Sequence, residues 1–200
     1  MTDPSTQRPI SWQDWHIPFS HDQITLREAK ASLDVIGMKQ KDVPLMIQLV
    51  ENPRYNIPGF DIFHGAVDLR THDCIHILLG RGLLPKDEAF VIGFTMGSTN
   101  RVSTLEEKLY ALISKHFYPK VNRFDDEAIR IFKDATKLAY ISDCEPLNRV
   151  DFDSLLDKPL REIRQAIRLE SDLLLAYFRI EQARHPGAKE SRRLLSSDSN

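Results

Sequence analysis

Apolar residues recur along this chain at three- and four-residue spacing, while alternating runs bounded by hairpin turns are scarce, so the pattern predicts helices throughout. Thr25 with Glu28 forms a capping-box signature ahead of Leu26, Ala29, Leu33 and Ile36. Asp42 caps a short second helix through Leu45, Met46 and Leu49, which Asn52-Pro53 ends because proline disfavours helical geometry at the residue before it. A third helix starts after Pro58-Gly59 and runs to Gly80. Gly80 and Gly82 break it, and Pro85 opens a fourth that runs to Gly97. Ser103 and Glu106 cap a helix through Leu105, Leu109, Leu112 and Phe117, with Pro119 as its stop. Another covers Asp125 to Tyr140, and Pro159 opens a long final helix ending at His185-Pro186-Gly187. The expected architecture is all-α: a single-domain helical bundle of about six to seven helices. A polar arm over residues 1–23 precedes a helical domain over 24–186, and a disordered tail covers 187–200.

Composition narrows the function classes. With 42% hydrophobic and 28% charged residues the chain has the balance of a globular protein rather than a disordered or fibrous one, and its 200 residues suit one core better than two. A formal net charge of -2 supplies no broad positive field, so nucleic acid is not an expected partner; the one basic cluster, Lys189, Arg192 and Arg193, lies in the tail. The two cysteines, Cys74 and Cys144, form neither a CxxC pair nor a disulfide framework, which fits a reducing compartment. The N-terminus lacks an apolar signal core and an Arg-rich transit pattern, and no apolar run approaches the roughly 20 residues needed to cross a bilayer. The expected location is cytoplasmic, with any membrane contact peripheral, on the inner face.

The chemistry concentrates in residues 64–88. His72 and His76 are four apart and share a helix face, with Asp73 beside them. Imidazole nitrogens and a carboxylate oxygen are good ligands for zinc, the first expectation, and acceptable for iron or manganese. The Gly80-Arg81-Gly82 break lets the chain reverse and brings Glu88, in the first turn of the next helix, back towards the histidines as a further anionic ligand. The result is a metal-binding helical hairpin. Asp68, one turn before His72, is placed to hold the second ring nitrogen of that histidine. His64 continues the same row as a candidate pocket residue. Two histidines at this spacing often form only a polar helix face or a hydrogen-bonded core pair. Apolar neighbours Val67, Ile75, Leu78 and Leu79 point instead to partial burial, where unpaired imidazoles and carboxylates are costly. Cys74 points away from the histidine line and reads as a small buried residue.

The run HDCIHILLGRGLLPKDE from His72 to Glu88 resembles the metal motif of the coenzyme Q (ubiquinone) biosynthesis protein family called Coq-four. Arg70 before the motif, Leu79-Gly80 after its second histidine and the continuation EAFVIGFTMGST extend the likeness over about residues 68 to 100. The resemblance implies an all-helical protein with His72, Asp73, His76 and Glu88 as ligands of a divalent metal described as zinc. It also implies peripheral membrane association and a place in the ubiquinone pathway, acting on or presenting a polyprenylated benzoate or quinone precursor. The enzymatic step it attaches to the motif is oxidative decarboxylation, a lyase-type reaction that replaces a ring carboxylate by a hydroxyl. The alternative is a non-catalytic, metal-stabilised lipid-binding scaffold for partner enzymes of that pathway. Self-association as a homodimer is compatible with either. A di-iron bundle would need a second Glu-x-x-His pair, and an HD-type phosphohydrolase would need further ligands at suitable spacing. Leucine stripes such as Leu105, Leu109 and Leu112, or Leu173 to Leu175, could line an apolar groove, but ordinary core packing explains them as well.

Overall fold

The computed structural model describes residues 11–36, 67–100 and 124–195. Among these residues the protein is all-helical, with helices α1 (Leu26–Asp34), α2 (Leu69–Leu79), α3 (Pro85–Ser98), α4 (Asp126–Ile141), α5 (Leu160–Ala166), α6 (Ser171–Arg184) and α7 (Lys189–Arg193) and two short 3-10 turns between α4 and α5. The helices expected from Asp42 and from Ser103 lie outside the described residues. Local chemistry sets the ends of the others. The Thr25 hydroxyl accepts from the Glu28 amide at 3.2 Å and the Glu28 carboxylate accepts from the Thr25 amide at 2.8 Å, closing the capping box of α1. Asp125 caps α4 by accepting from the Ala128 amide at 2.7 Å. Gly80 ends α2 in the left-handed conformation at φ 63°, with the Gly80 amide on Ile77 O and the Arg81 amide on His76 O.

The core is arranged around α3. From Ala89 to Ser98 every residue of this helix is buried, as befits a helix that is apolar on all sides. Its closest neighbour is α4, and glycine is what allows the approach: a Cβ on Gly93 would overlap the Phe132 carbonyl oxygen, and one on Gly97 the Thr136 carbonyl oxygen. The turn between α2 and α3 is anchored by Arg81. Its guanidinium grips Glu181 of α6 through two hydrogen bonds of 3.0 and 2.7 Å, both side chains fully buried, and stacks between Phe90 and Phe178 at 3.8 and 4.6 Å from their ring centres.

Two expectations are corrected here. The long final helix is two helices, because Ile167 and Leu169 are both buried and two residues apart, a spacing that a continuous helix would send to opposite sides; Arg168 takes φ 55° to make the turn. Within the tail expected to be disordered over 187–200, Lys189–Arg193 form α7, held by buried Leu194 and by Ser191, whose hydroxyl donates to Glu181 at 3.0 Å; 196–200 lie outside the described residues. The arm is polar in composition, yet Trp15, Ile17 and Phe19 enter the core at alternate positions, with the Trp15 indole donating to Ser32 at 3.1 Å.

The glycine contacts give a direct test. Gly93→Ala and Gly97→Ala should each destabilise the protein by about 1–3 kcal/mol, the cost of overpacking. Chemical denaturation should show a lowered midpoint with an unchanged slope; midpoints equal to wild type would mean the two helices stand further apart than described.

Candidate metal centre

α2 begins later than its sequence pattern suggests, within the described residues at Leu69, with Asp68 as its N-cap. The Asp68 carboxylate accepts from the Thr71 amide at 2.9 Å. Asp68 is therefore a capping residue at the start of the helix, not a residue one turn inside it. His64 lies outside the described residues. From this start, His72 and His76 fall on one face and their rings meet edge to face, centroids 4.6 Å apart. The Gly80 turn then reverses the chain, and Pro85 begins α3 so that Glu88 lies in its first turn, where the helix dipole favours a carboxylate.

The three side chains meet head-on. Glu88 Oε2 is 3.5 Å from His72 Nε2, and Glu88 Oε1 is 3.3 Å from His76 Nε2. One ligand atom from each of the three lies within 4.8 Å of the others. The other nitrogen of His76 fixes the ring: Nδ1 is 2.7 Å from the Gly82 carbonyl oxygen, which can only accept, so Nδ1 carries a proton and Nε2 is the nitrogen turned towards Glu88. Nε2 of His72 and Nε2 of His76 are both buried and without a hydrogen-bond partner. Acceptors aimed at one another in a buried site require a cation between them, either a proton or a metal ion.

The spacing favours a metal. Donor atoms bound at about 2.0–2.1 Å around a tetrahedral zinc ion stand roughly 3.4 Å apart. The observed separations of 3.3 and 3.5 Å match this, and they exceed the usual length of a charge-assisted hydrogen bond, about 2.7–2.9 Å. The electrostatics fit a cation at this point, a proton on His76 as well as a metal ion. Burial pushes His72 down to about 4 despite Glu88, leaving a neutral imidazole. Burial also opposes charge on His76, but Glu88 outweighs it and raises the pKa. Glu88 is held below its ordinary value because the two histidines overcome its desolvation. The chain thus presents two imidazoles and one carboxylate, a donor set found at catalytic zinc and at non-haem iron. His76 is fully buried, whereas His72 and Glu88 retain 15% and 22% side-chain exposure, so the site has an open edge.

Asp73, expected among the ligands, is not part of this three-atom group. Its carboxylate lies 3.7 Å from Lys30 Nζ of α1, and His76 and Glu88 stand near enough to act on its charge. Burial, partly offset by His76 and Lys30, raises its pKa to about 6. Cys74 is buried, with its thiol pushed up to about 11 by desolvation, in keeping with a packing role. It lines a cleft of about 120 Å³ on a neighbouring face of α2, together with Thr71, Phe152 and Lys30. The Gly82 carbonyl and Lys30 are the functional groups that the sequence pattern did not single out. Gly82 was visible only as a helix breaker, although a glycine two residues beyond a left-handed cap is where a carbonyl can return to the last helical turn. Among the described residues no helix is long and apolar enough to cross a membrane. Comparison of the chain with family models, curated proteins and solved structures finds no match.

The purified protein should therefore hold close to one divalent ion per chain and melt at a higher temperature when loaded than after chelation. His76→Ala and Glu88→Ala should abolish that difference while the metal-free proteins stay folded, and Asp73→Asn should keep most of the ion. Elemental analysis paired with thermal melts decides this, and loss of the ion in Asp73→Asn would return that residue to the ligand set.

Proposed function

We propose that this chain is a divalent-metal protein of ubiquinone-biosynthesis type, whose His72–His76–Glu88 centre acts on a carboxylated, polyprenylated aromatic precursor. The observation that carries the metal reading is the pair of buried, partnerless imidazole nitrogens facing one carboxylate at the donor spacing of a tetrahedral ion. The substrate class comes from the likeness of the His72-to-Glu88 run to the Coq-four motif. Catalysis is favoured over a purely structural ion because the described residues bring together three donors, which leaves a position for an exogenous ligand, while a structural zinc site is closed by four protein ligands. When bound, a divalent ion supplies charge stabilisation to an anionic oxygen such as a ring carboxylate.

The chain's own groups have definite parts in this reading. The His76 ring is oriented by Gly82, so Nε2 is the nitrogen available to an ion. Glu88 contributes the anion that offsets part of the ionic charge, and its exposed edge, with that of His72, is the approach for substrate. Lys30 engages Asp73 and limits the negative charge near an incoming carboxylate. Oxidative replacement of the carboxylate by hydroxyl further requires an oxidant such as dioxygen. Zinc is redox-inert, so the complete reaction favours iron or manganese in the same donor set, and zinc suits the binding role.

A carboxylated prenyl-phenol should bind the metal-loaded protein at least tenfold more tightly than the chelated protein, and its decarboxylated counterpart should show little such preference. Calorimetric titration of both compounds against both forms makes the comparison. Equal affinities in all four experiments would assign the ion a structural role and favour a lipid-binding scaffold.

A further inference from the structure

The turn that carries the His76 acceptor is closed from outside by the C-terminal helix. Arg193, at the end of α7, is mostly buried and forms a close ion pair with Asp87, which is fully buried. Its Nη1 also donates to the Gln13 carbonyl at 3.2 Å. The same guanidinium lies on the Cα of Gly82: a Cβ there would overlap Arg193 Nη2 and press on the Trp15 carbonyl oxygen. Gly82 gives its carbonyl to His76. Asp87 precedes Glu88 in the first turn of α3, and its Oδ2 accepts from the Leu84 amide at 3.3 Å.

We propose that Arg193 is a positioning residue for the metal centre: seated on Gly82 and paired with Asp87, it holds in register the backbone that aims His76 and the helix turn that presents Glu88. The hydrogen bond on the second nitrogen of a ligating histidine fixes its ring orientation, and loss of such support typically weakens metal binding by about 10–100-fold. Here the support is a backbone carbonyl on a turn without regular secondary structure, so its place depends on what packs against it. Arg193 suits the task because a planar guanidinium can lie flat on glycine while forking to a carboxylate and a carbonyl, which an ammonium cannot do. The α7 segment brings it there through Leu194 in the core, Ser191 on Glu181, and the Gln182 side chain donating to the Arg192 carbonyl at 2.9 Å. The N-terminal arm, the hairpin turn and α3 thus converge on one side chain.

The effect on metal affinity rests on the metal reading given above; the effect on His76 does not. Exchange of the His76 Nδ1 proton with solvent, followed by NMR of metal-free protein labelled with ¹⁵N-histidine, reports the Gly82 hydrogen bond alone. Titration with chelator-buffered zinc reports the consequence. In Arg193→Ala the proton should exchange faster and zinc affinity should fall roughly tenfold. Arg193→Lys should recover part of both, and Lys189→Ala, which removes the exposed pair with Asp14 on the same helix, should change neither. A purely structural ion pair would lower the melting temperature of Arg193→Ala without altering exchange or affinity relative to wild type, and that result overturns the proposal. Equal damage from Lys189→Ala overturns it too. Should Arg193→Ala not fold, Arg193→Lys carries the same two readouts against wild type. A wild type that binds no zinc defeats the metal reading, and the exchange comparison still decides whether Arg193 holds His76.

Discussion

Everything at the metal centre depends on the chain reversing between α2 and α3, and that reversal is pinned by Arg81. A guanidinium and a carboxylate removed from water are each costly, and their attraction compensates only when the geometry is good and the remaining polar atoms find partners. Arg81 and Glu181 meet most of this condition through a bidentate contact, aromatic faces on both sides of the guanidinium and the Ser191 hydroxyl on the carboxylate, although the Arg81 Nε–H is buried without a hydrogen-bond partner. Such a pair contributes little net stability against an apolar replacement, but it admits very few alternative arrangements. It fixes the turn to α6, and the turn then fixes the distance between the two ligand helices.

The other buried acids make the contrast that identifies Glu88. Glu181 faces Arg81, Asp87 faces Arg193 and Asp73 faces Lys30. Glu88 faces two imidazoles, one of which is held neutral by burial. A lysine or arginine stands against each of those three carboxylates, whereas Glu88 meets two histidines, and pushes the pKa of His76 up. A divalent ion would resolve the arrangement by accepting from all three groups at once.

The parts of this structure that depend on neighbours in the sequence were readable from the sequence. Thr25 with Glu28, Asp125, Gly80 and Pro85 act through groups within a few residues, and the helix ends fall where those residues predict. His72, His76 and Glu88 were readable for the same reason: a helical turn and a glycine break are local devices. Asp73 stands outside the three-atom group because adjacency in sequence is about 100° of rotation on a helix, and Lys30, far away in sequence, lies 3.7 Å from its carboxylate. The break at Arg168 carries no glycine or proline and is imposed by burial of Ile167 and Leu169. The C-terminal segment looked like a tail because its composition is polar, and composition cannot reveal that Arg193 finds Asp87 and Gly82. Backbone acceptors such as the Gly82 carbonyl carry no residue-type signal at all.

The central claim is that two imidazoles and the Glu88 carboxylate hold one ion, with no sulfur ligand despite Cys74 standing two residues from His72. X-ray absorption at the edge of the bound metal measures this directly. The account predicts a first shell of nitrogen and oxygen at about 2.0–2.1 Å with the outer scattering of two imidazoles, reduced to one in His72→Ala. A sulfur contribution at about 2.3 Å, or imidazole scattering that His72→Ala leaves unchanged, would contradict it.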